Sequence, residues 1–199
     1  MTGALIVFAR EPRPGNVKTR LAATVGESAA AEIYAQLLSR SLSIAERSRF
    51  STRYLFAADS EEIDYFAGRL ANDMWQVRVQ CQGDIGQRME HAIALVLRRH
   101  QFVVLVGSDV ADSKTMDLDH AWKLLSSRSK SAVVGPSVDG GYWLIGLRKT
   151  EPMIFRGIPW STDRVFRTTI ARMDGLGLEV NCLVPRHDVD EAADLCYVV

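Results

Sequence analysis

The sequence has few cysteines, no long apolar run and no excess of either charge. Cys81, Cys182 and Cys196 are scattered through 199 residues without paired spacing, which argues against a disulfide framework or a zinc site and indicates reduced thiols. No window approaches the roughly 20 apolar residues that a membrane-spanning helix needs. Lys plus Arg equals Asp plus Glu at 24 each, so the net charge does not favour a nucleic-acid partner. We therefore expect a soluble cytoplasmic protein that binds neither membranes nor nucleic acid.

Two common nucleotide-binding motifs are also missing. Residues 15–19, GNVKT, half-resemble a P-loop, but the first glycine of that motif is not at the required distance. No GxGxxG follows the first predicted strand, which disfavours a dinucleotide-binding oxidoreductase. The chain has no internal repeat, low-complexity segment or flexible linker, so we expect one domain over residues 1–199.

Short apolar runs rich in β-branched residues alternate with helical patterns along the chain. The predicted strands are 4–9, 53–58, 75–81, 102–107, 131–135, 142–147 and 178–184. The predicted helices are 28–48, 61–71, 86–99, 115–127, 160–173 and 190–197, the fifth with Ser161 or Thr162 as its N-cap.

This alternation predicts an α/β fold, a three-layer α/β/α sandwich around a mixed, mostly parallel sheet. Only six residues separate the strands 131–135 and 142–147. A parallel return needs a longer crossover, so the sheet is predicted to contain one antiparallel strand.

Charged residues follow several of these strands, at the edge of an open α/β sheet where ligands bind. They are Arg10, Lys18 and Arg20 on a loop after the first strand, Asp109 after the fourth, Asp139 between the antiparallel pair, and Asp190 after the last. Taken singly, each is an ordinary turn or cap. Carboxylates gathered at one edge repel each other unless a cation shares the site, and hard oxygens suit Mg²⁺ or Mn²⁺ bridging substrate phosphates. Together they predict a site for a nucleotide di- or triphosphate.

Six segments carry a resemblance to a known family. In order, they are FAREPRPGNVKTRLA, QGDIGQRMEHA, LVGSDVADS, VVGPSVDGGYWLIGL, GIPWSTDRVF and HDVDEAADL. Through them the chain resembles, nearly end to end, the GT-A-like nucleotide-diphospho-sugar transferase superfamily. Within it, the chain is similar to a bacterial branch labelled as arsenosugar-biosynthesis-type glycosyltransferases, and that branch is similar to molybdenum-cofactor and 2-phospho-lactate nucleotidyltransferases.

The resemblance implies a role for individual residues. It implies Mg²⁺ or Mn²⁺ at Asp109 and Asp190, and catalytic roles for Asp109, Asp139 and Lys18. The residues that it implies for nucleotide binding are Arg10, Lys18, Arg20, Gln82, Gly86 and Arg88, with Gln82 and Gly86 in the segment that reads the nucleobase. Asp139, Gly140, Gly141 and Tyr142 would form the acceptor side.

Two positions depart from the pattern of the relatives. Ala111 stands where they commonly have proline, and residues 190–194 read DEAAD where they commonly read Asp-Thr-Pro-Glu-Asp. We expect the missing proline to leave the loop of Asp109 less rigid. The C-terminal motif is expected to keep its carboxylates and lose its turn chemistry.

The expected function is metal-dependent glycosyl transfer from a nucleotide-sugar donor to a small-molecule acceptor. A nucleotidyltransferase that uses a nucleoside triphosphate and releases pyrophosphate is the alternative. A nucleotide-binding protein with little or no turnover is a third hypothesis, motivated by the two departures. The nucleobase, sugar, acceptor and oligomeric state stay open.

Overall fold

The structure is a computed structural model that describes residues 2–70, 73–127 and 131–198. A seven-stranded sheet forms the middle layer of the molecule. The strands are β1 (Gly3–Ala9), β2 (Thr52–Ala57), β3 (Trp75–Val79), β4 (Phe102–Val106), β5 (Ser131–Pro136), β6 (Tyr142–Leu147) and β7 (Glu179–Cys182). Their order is β3-β2-β1-β4-β6-β5-β7. Strand β6 runs antiparallel to β4 and β5, while the other neighbours are parallel. The predicted mixed sheet with one antiparallel strand is confirmed.

Helices cover both faces of the sheet. They are α1 (Thr19–Val25), α2 (Glu27–Arg47), α3 (Ile63–Arg69), α4 (Ile85–Leu97), α5 (Thr115–Ser127) and α6 (Val165–Gly175), with 3₁₀ turns at Ser60–Glu62, Pro152–Ile154 and Ala192–Tyr197. None of the helices in the described part of the chain has the length and apolarity needed to cross a bilayer.

Strand β1 shows how the three layers form, because its side chains alternate between the two faces and all are buried. Leu5 and Val7 pack in a core with residues of α2, α3 and α5. Ile6 and Phe8 pack in a second core with residues of α4 and α6. A continuous apolar run is what a strand buried on both faces requires, and the predicted three-layer sandwich is confirmed.

The helix predicted for 160–173 begins later, at Val165, so the N-cap prediction at Ser161 or Thr162 is wrong. Ser161 has a left-handed backbone with φ 63°, which is not the extended conformation of an N-cap residue. The Thr162 hydroxyl donates to the carbonyl of Pro159. The polar residues therefore build a turn in front of the helix, which explains why they gave a helix-start signal.

The basic segment after β1 was predicted as a loop, but Arg20 lies in the first turn of helix α1. Lys18 precedes that helix in the left-handed conformation, with φ 49° and ψ 47°. The helix has seven residues, which is too short for apolar periodicity to reveal.

Two other helices differ in their ends or type. The one predicted for 61–71 is a 3₁₀ turn followed by α3, and residue 71 lies outside the described residues. The closing helix predicted for 190–197 is a 3₁₀ helix, Ala192–Tyr197.

The carbonyl groups at the C-terminal end of α2 are hydrogen-bonded to Arg53, which is only 2% exposed. Its guanidinium donates to the carbonyls of Ala45 at 2.7 Å and Glu46 at 2.8 Å. We expect Arg53→Met to lower the free energy of unfolding by about 1 to 3 kcal/mol, because these carbonyls lose their donor. Urea unfolding followed by circular dichroism measures the change. The exposed Arg47→Met is the control and should stay within about 0.5 kcal/mol of the parent; equal losses in the two variants would contradict the capping role.

Candidate active site

A short backbone bridge holds the loop after β4 against the segment that precedes the C-terminal 3₁₀ helix. Val110 and Asp188 form an antiparallel bridge, and the amide of Val189 donates to the carbonyl of Asp109 at 3.1 Å. These two segments are far apart in sequence. The bridge brings their acidic side chains to the same edge of the sheet.

Ala111 belongs to this bridge, which corrects the expectation of a looser loop. Ala111 is only 1% exposed, and its amide donates to the carbonyl of His187 at 2.8 Å. Proline has no amide hydrogen and could not make this bond. The loop of Asp109 is therefore anchored by a hydrogen bond across the bridge.

Lys18 joins the two carboxylates that were predicted to converge. Its Nζ donates to Asp109 Oδ2 at 2.7 Å and to Asp190 Oδ1 at 2.9 Å, and its side chain is only 6% exposed. Arg20 forms a second ion pair with Asp190. Burial by itself lowers the pKa of Lys18, but the two carboxylates outweigh burial and raise that pKa above its ordinary value.

The backbone of Lys18 turns the chain from the loop into α1. A left-handed conformation is uncommon for a residue other than glycine and costs of order 1 kcal/mol or more. Here the two ion pairs of the side chain hold the residue in that conformation.

A cavity of about 520 Å³, which we call the donor cavity, opens beside this cluster. Among the residues predicted to bind nucleotide, those that line it are Arg10, Lys18, Arg20 and Arg88. The acidic side chains of its lining are Asp109 and Asp190. With four basic and two acidic side chains, the lining has a net positive charge.

Gln82 and Gly86, the other two predicted nucleotide-binding residues, are not part of the cavity lining. Gln82 is exposed. Gly86 is buried under an indole, since a Cβ atom at this position would lie 2.4 Å from Cζ2 of Trp160. Close packing with Trp160 therefore explains this glycine, and base reading by Gln82 and Gly86 stays a prediction.

Several residues of the donor cavity were not found from the sequence. The Tyr34 hydroxyl accepts from the amide of Arg10 at 2.9 Å and shares a hydrogen bond of 2.8 Å with the Ser108 hydroxyl. Burial raises the pKa of Tyr34 to about 12, so the phenol stays neutral and ties α2 to the ends of β1 and β4. Gln80 also lines the cavity. In the sequence Tyr34 is one of the apolar-periodic positions of a helix, which hides its polar role.

A second cavity of about 660 Å³, the acceptor cavity, adjoins the first. The two linings share Arg20, Ile85, Met89, Tyr142 and Asp190. The charged side chains of the acceptor cavity are Arg20, Asp139, Asp163, Asp188 and Asp190. Acidic side chains therefore outnumber basic ones in this lining, the reverse of the donor cavity.

The DGG turn supplies one wall of the acceptor cavity, as predicted. Asp139, Gly141 and Tyr142 line it, and Asp139 Oδ1 accepts from the Gly141 amide at 2.9 Å. Gly140 has φ 94°, and a Cβ there would lie 2.4 Å from the backbone oxygen of Asp163. Only glycine fits that position, so Gly140 acts through the shape of the turn.

Asp188 is a site residue that sequence reasoning did not single out. Its Oδ1 is buried without a hydrogen-bond partner in the described structure. Burial, followed by the negative charge of Asp109, raises the pKa of Asp188 to about 8. The alternation of the HDVD segment was the available signal, because Asp188 and Asp190 are two residues apart on an extended segment.

A site for Mg²⁺ or Mn²⁺ at Asp109 and Asp190 stays a prediction. Their oxygens already surround one cation, the ammonium of Lys18. Over residues 2–70, 73–127 and 131–198, no cluster of three or more His, Cys, Asp or Glu side chains is arranged to hold a metal. Mg²⁺ is usually held by one or two carboxylates with water and substrate phosphates, so the prediction needs no third carboxylate.

The C-terminal turn also keeps its geometry without proline. Asp194 Oδ2 accepts from the amides of Asp190 at 2.9 Å and Glu191 at 2.8 Å. The expectation that turn chemistry is lost is therefore wrong: the carboxylate of Asp194 fixes the turn and with it the position of Asp190.

A family profile described as "Uncharacterized protein conserved in bacteria (DUF2064)" matches residues 42–162. The chain belongs to the DUF2064 family. No curated protein matches its sequence.

Solved structures similar to this DUF2064 chain share its whole architecture. A provisionally named nucleotide-diphospho-sugar transferase from Desulfovibrio desulfuricans G20 is 32% identical with a TM-score of 0.90, over 98% of this chain and 85% of that one. Inositol-1-phosphate CTP transferase from T. maritima is 11% identical with a TM-score of 0.62, over 99% and 94%. Rv0371c from Mycobacterium tuberculosis H37Rv, in complex with manganese, is 17% identical with a TM-score of 0.58, over 98% and 97%. The chain has the nucleotide-diphospho-sugar transferase fold, as its motifs predicted.

The ammonium of Lys18, which Asp109 and Asp190 share, gives a test of the candidate metal site in this DUF2064 protein. Lys18→Ala leaves Asp109 and Asp190 facing each other without the ammonium. In EDTA we expect the free energy of unfolding to fall by about 1 to 3 kcal/mol. Millimolar Mg²⁺ should restore most of this loss, because the ion binds the folded form and replaces the missing charge. Urea unfolding with and without Mg²⁺ measures both effects.

Arg20→Ala is the matched control, since its side chain is 64% exposed. We expect it to lose less than about 1 kcal/mol and to respond little to Mg²⁺. A loss in Lys18→Ala that Mg²⁺ does not reverse would show that the two carboxylates do not hold a divalent cation.

Proposed function

We propose that the protein transfers a glycosyl group from a nucleotide-diphosphate sugar to a hydroxyl group of a small molecule, with Mg²⁺ or Mn²⁺ as its metal. One observation carries the proposal: a basic cavity and an acidic cavity share five lining residues. A donor diphosphate suits the first, a neutral or cationic acceptor suits the second, and the bond to be broken would lie where they join.

The donor side is proposed for the diphosphate because of its charge. Lys18, Arg20 and Arg88 line the cavity, and Lys18 is held in place by its ion pairs. Fixed positive charge next to the leaving group stabilises the charge that develops there. The fold supports this assignment, since similar structures are named for nucleotide-dependent transfer, and the M. tuberculosis protein was solved with manganese.

The charge of the acceptor cavity favours glycosyl transfer over nucleotidyl transfer. In the nucleotidyl reaction that we considered, a phosphate of the acceptor attacks the nucleotide. Besides Asp188, whose pKa is raised, the acceptor cavity has three aspartates and one arginine, and that arginine is already paired with Asp190. An incoming phosphate would meet net repulsion, whereas a hydroxyl group would not. The acidic lining therefore favours attack by a hydroxyl group.

The proposed reaction is a displacement at the anomeric carbon of the donor sugar. The acceptor oxygen attacks the anomeric carbon, the bond from that carbon to the β-phosphate oxygen breaks, and the nucleoside diphosphate leaves. The hydroxyl proton passes to Asp139, whose position is fixed by the Gly141 amide. Lys18 and Arg20 stabilise the leaving diphosphate. A divalent cation at Asp109 and Asp190 would supply further positive charge to the same phosphates.

Nucleotidyl transfer is the second candidate, because four basic side chains line the donor cavity. A triphosphate carries more negative charge than the diphosphate of a nucleotide sugar, so a triphosphate would form ion pairs with more of these basic side chains. Two similar structures support it by name, the T. maritima CTP transferase and an octonic-acid synthetase solved with CTP. In this reaction an acceptor phosphate attacks the α-phosphorus and pyrophosphate leaves.

The third hypothesis, nucleotide binding without turnover, loses the support that motivated it. Ala111 is hydrogen-bonded across the bridge, and Asp194 fixes the C-terminal turn. At both departures from the family pattern, hydrogen bonds hold the backbone next to Asp109 and Asp190.

Product analysis tests the proposal. The protein is incubated in Mn²⁺ with nucleotide sugars and, separately, with each nucleoside triphosphate, against a panel of polyols, sugars and sugar phosphates. We expect nucleoside diphosphate release that depends on a hydroxyl acceptor. Asp139→Asn should lower kcat about 100-fold or more with little change in donor affinity, because it removes the proton acceptor.

Asp174→Asn is the control, an exposed aspartate of α6 that lines neither cavity, and it should keep full activity. Pyrophosphate release from triphosphates without any sugar transfer would reject the glycosyl reaction in favour of the second candidate.

A further inference from the structure

The ammonium of Lys18 binds the same oxygens that a metal at Asp109 and Asp190 would need. Lys18 Nζ lies 2.7 Å from Asp109 Oδ2 and 2.9 Å from Asp190 Oδ1, and Arg20 donates to Asp190 Oδ2. Three of the four carboxylate oxygens are therefore hydrogen-bonded to a cationic side chain. A divalent ion on these oxygens would be repelled by an ammonium in the same place. The ammonium and the ion would thus compete for the two carboxylates.

The ion pairs of Lys18 are protected from water. The side chain of Lys18 is only 6% exposed, whereas that of Arg20 is 64% exposed. Solvent and salt weaken an exposed ion pair strongly and a buried one much less. A buried charge that loses its partner is strongly unfavourable. A metal that binds without a nucleotide therefore has to displace a firmly held cation.

The side chain of Lys18 can turn while its backbone stays in place. Val17 and Leu21, on either side, are 5% and 0% exposed, and the amide of Ala22 donates to the carbonyl of Lys18 at 2.8 Å. The ammonium is at the end of a flexible four-carbon stem, and Lys18 lines the donor cavity. It can therefore exchange the carboxylates for a diphosphate in that cavity without movement of α1.

We propose that Lys18 is a latch on the candidate metal site. In the free protein its ammonium binds Asp109 and Asp190 and excludes a divalent cation. A nucleotide diphosphate in the donor cavity gives the ammonium another anionic partner, and the two carboxylates then become available to Mg²⁺ or Mn²⁺. The protein thus binds metal and nucleotide together and holds neither firmly alone. This inference rests on the proposed function, because it states how the donor site of that reaction is regulated.

Metal binding without nucleotide distinguishes the latch from ordinary cooperativity. A metal that contacts the phosphates directly would also tighten nucleotide binding, and nucleotide would tighten metal binding by the same factor. Such contact predicts no change in metal binding alone when Lys18 is neutralised, apart from a general charge effect. The latch predicts a large increase, because the competitor for the carboxylates is gone.

Mn²⁺ binding to the full chain tests this difference. It is measured by water-proton relaxation, without nucleotide and with saturating ADP, CDP, GDP or UDP. Lys18→Met removes the charge and keeps most of the apolar stem. We expect this variant to bind Mn²⁺ alone about tenfold or more tightly than the parent. The further gain from a diphosphate should shrink by about threefold or more, since the variant has no ammonium to release.

Arg20→Met is the matched control, because it removes a cationic side chain that pairs with Asp190 and not with Asp109. We expect its affinity for Mn²⁺ alone to stay within about threefold of the parent, with the gain from a diphosphate retained. Equal tightening in the two variants would reveal a general charge effect and overturn the latch. So would a Lys18→Met protein, folded by circular dichroism, that binds Mn²⁺ no more tightly than the parent.

A measurement on the parent covers the case in which Lys18→Met does not fold. The chain has five lysines, so the NMR signals of isotope-labelled lysine side chains are few enough to resolve. We expect one signal to shift when Mg²⁺ and a diphosphate are present together, and to shift little with Mg²⁺ alone. Lysine signals that stay unchanged with both ligands would overturn the latch.

Failure of this inference can be told apart from failure of the proposed function. Sugar transfer by a protein whose Lys18→Met variant binds Mn²⁺ alone as weakly as the parent would overturn the latch and leave glycosyl transfer standing. Tighter Mn²⁺ binding in Lys18→Met, without transfer from any nucleotide sugar, would reject glycosyl transfer and support the latch.

Discussion

The candidate site depends on one backbone contact, the antiparallel bridge between Val110 and Asp188. It joins the loop after the central strand β4 to the segment near the C-terminus. Asp109 lies on one side of this contact and Asp190 on the other, close enough for both to bind the ammonium of Lys18. Each carboxylate alone would be an ordinary solvated side chain. Brought together, they need a cation, and that requirement determines the chemistry available at this edge of the sheet.

The same edge is divided by charge. Basic residues from the segment after β1 face the donor cavity, while the DGG turn and the residues before α6 make the acceptor cavity acidic. Because β6 is antiparallel to β4, the turn that carries Asp139 reaches the edge where β4 ends. The reversed strand thus places the acceptor cavity next to the donor cavity.

The sheet and the convergence of Asp109 with Asp190 could be predicted from the sequence, because buried strands are continuous apolar runs and parallel strands end at one edge. The start of α6 could not be predicted correctly, since a polar turn and a helix start use the same residue types. The position of Lys18 between the two carboxylates could not be predicted either, because it brings together three segments that are far apart in sequence. Two further features are tertiary effects that no local pattern reveals. The hydrogen bond of Ala111 is made to His187, far away in the sequence, and Asp188 is buried by the packing around it.

Mn²⁺ binding followed by electron paramagnetic resonance tests the central claim, that Asp109 and Asp190 hold a metal which binds a nucleotide together with the basic loop. The signal of free Mn²⁺ is titrated with protein, alone and with saturating nucleoside diphosphates of each base. The account predicts weak binding alone, binding tightened about tenfold or more by at least one diphosphate, and loss of that gain in Asp109→Asn and Asp190→Asn. Mn²⁺ binding that no diphosphate strengthens, or that both variants retain, would contradict it.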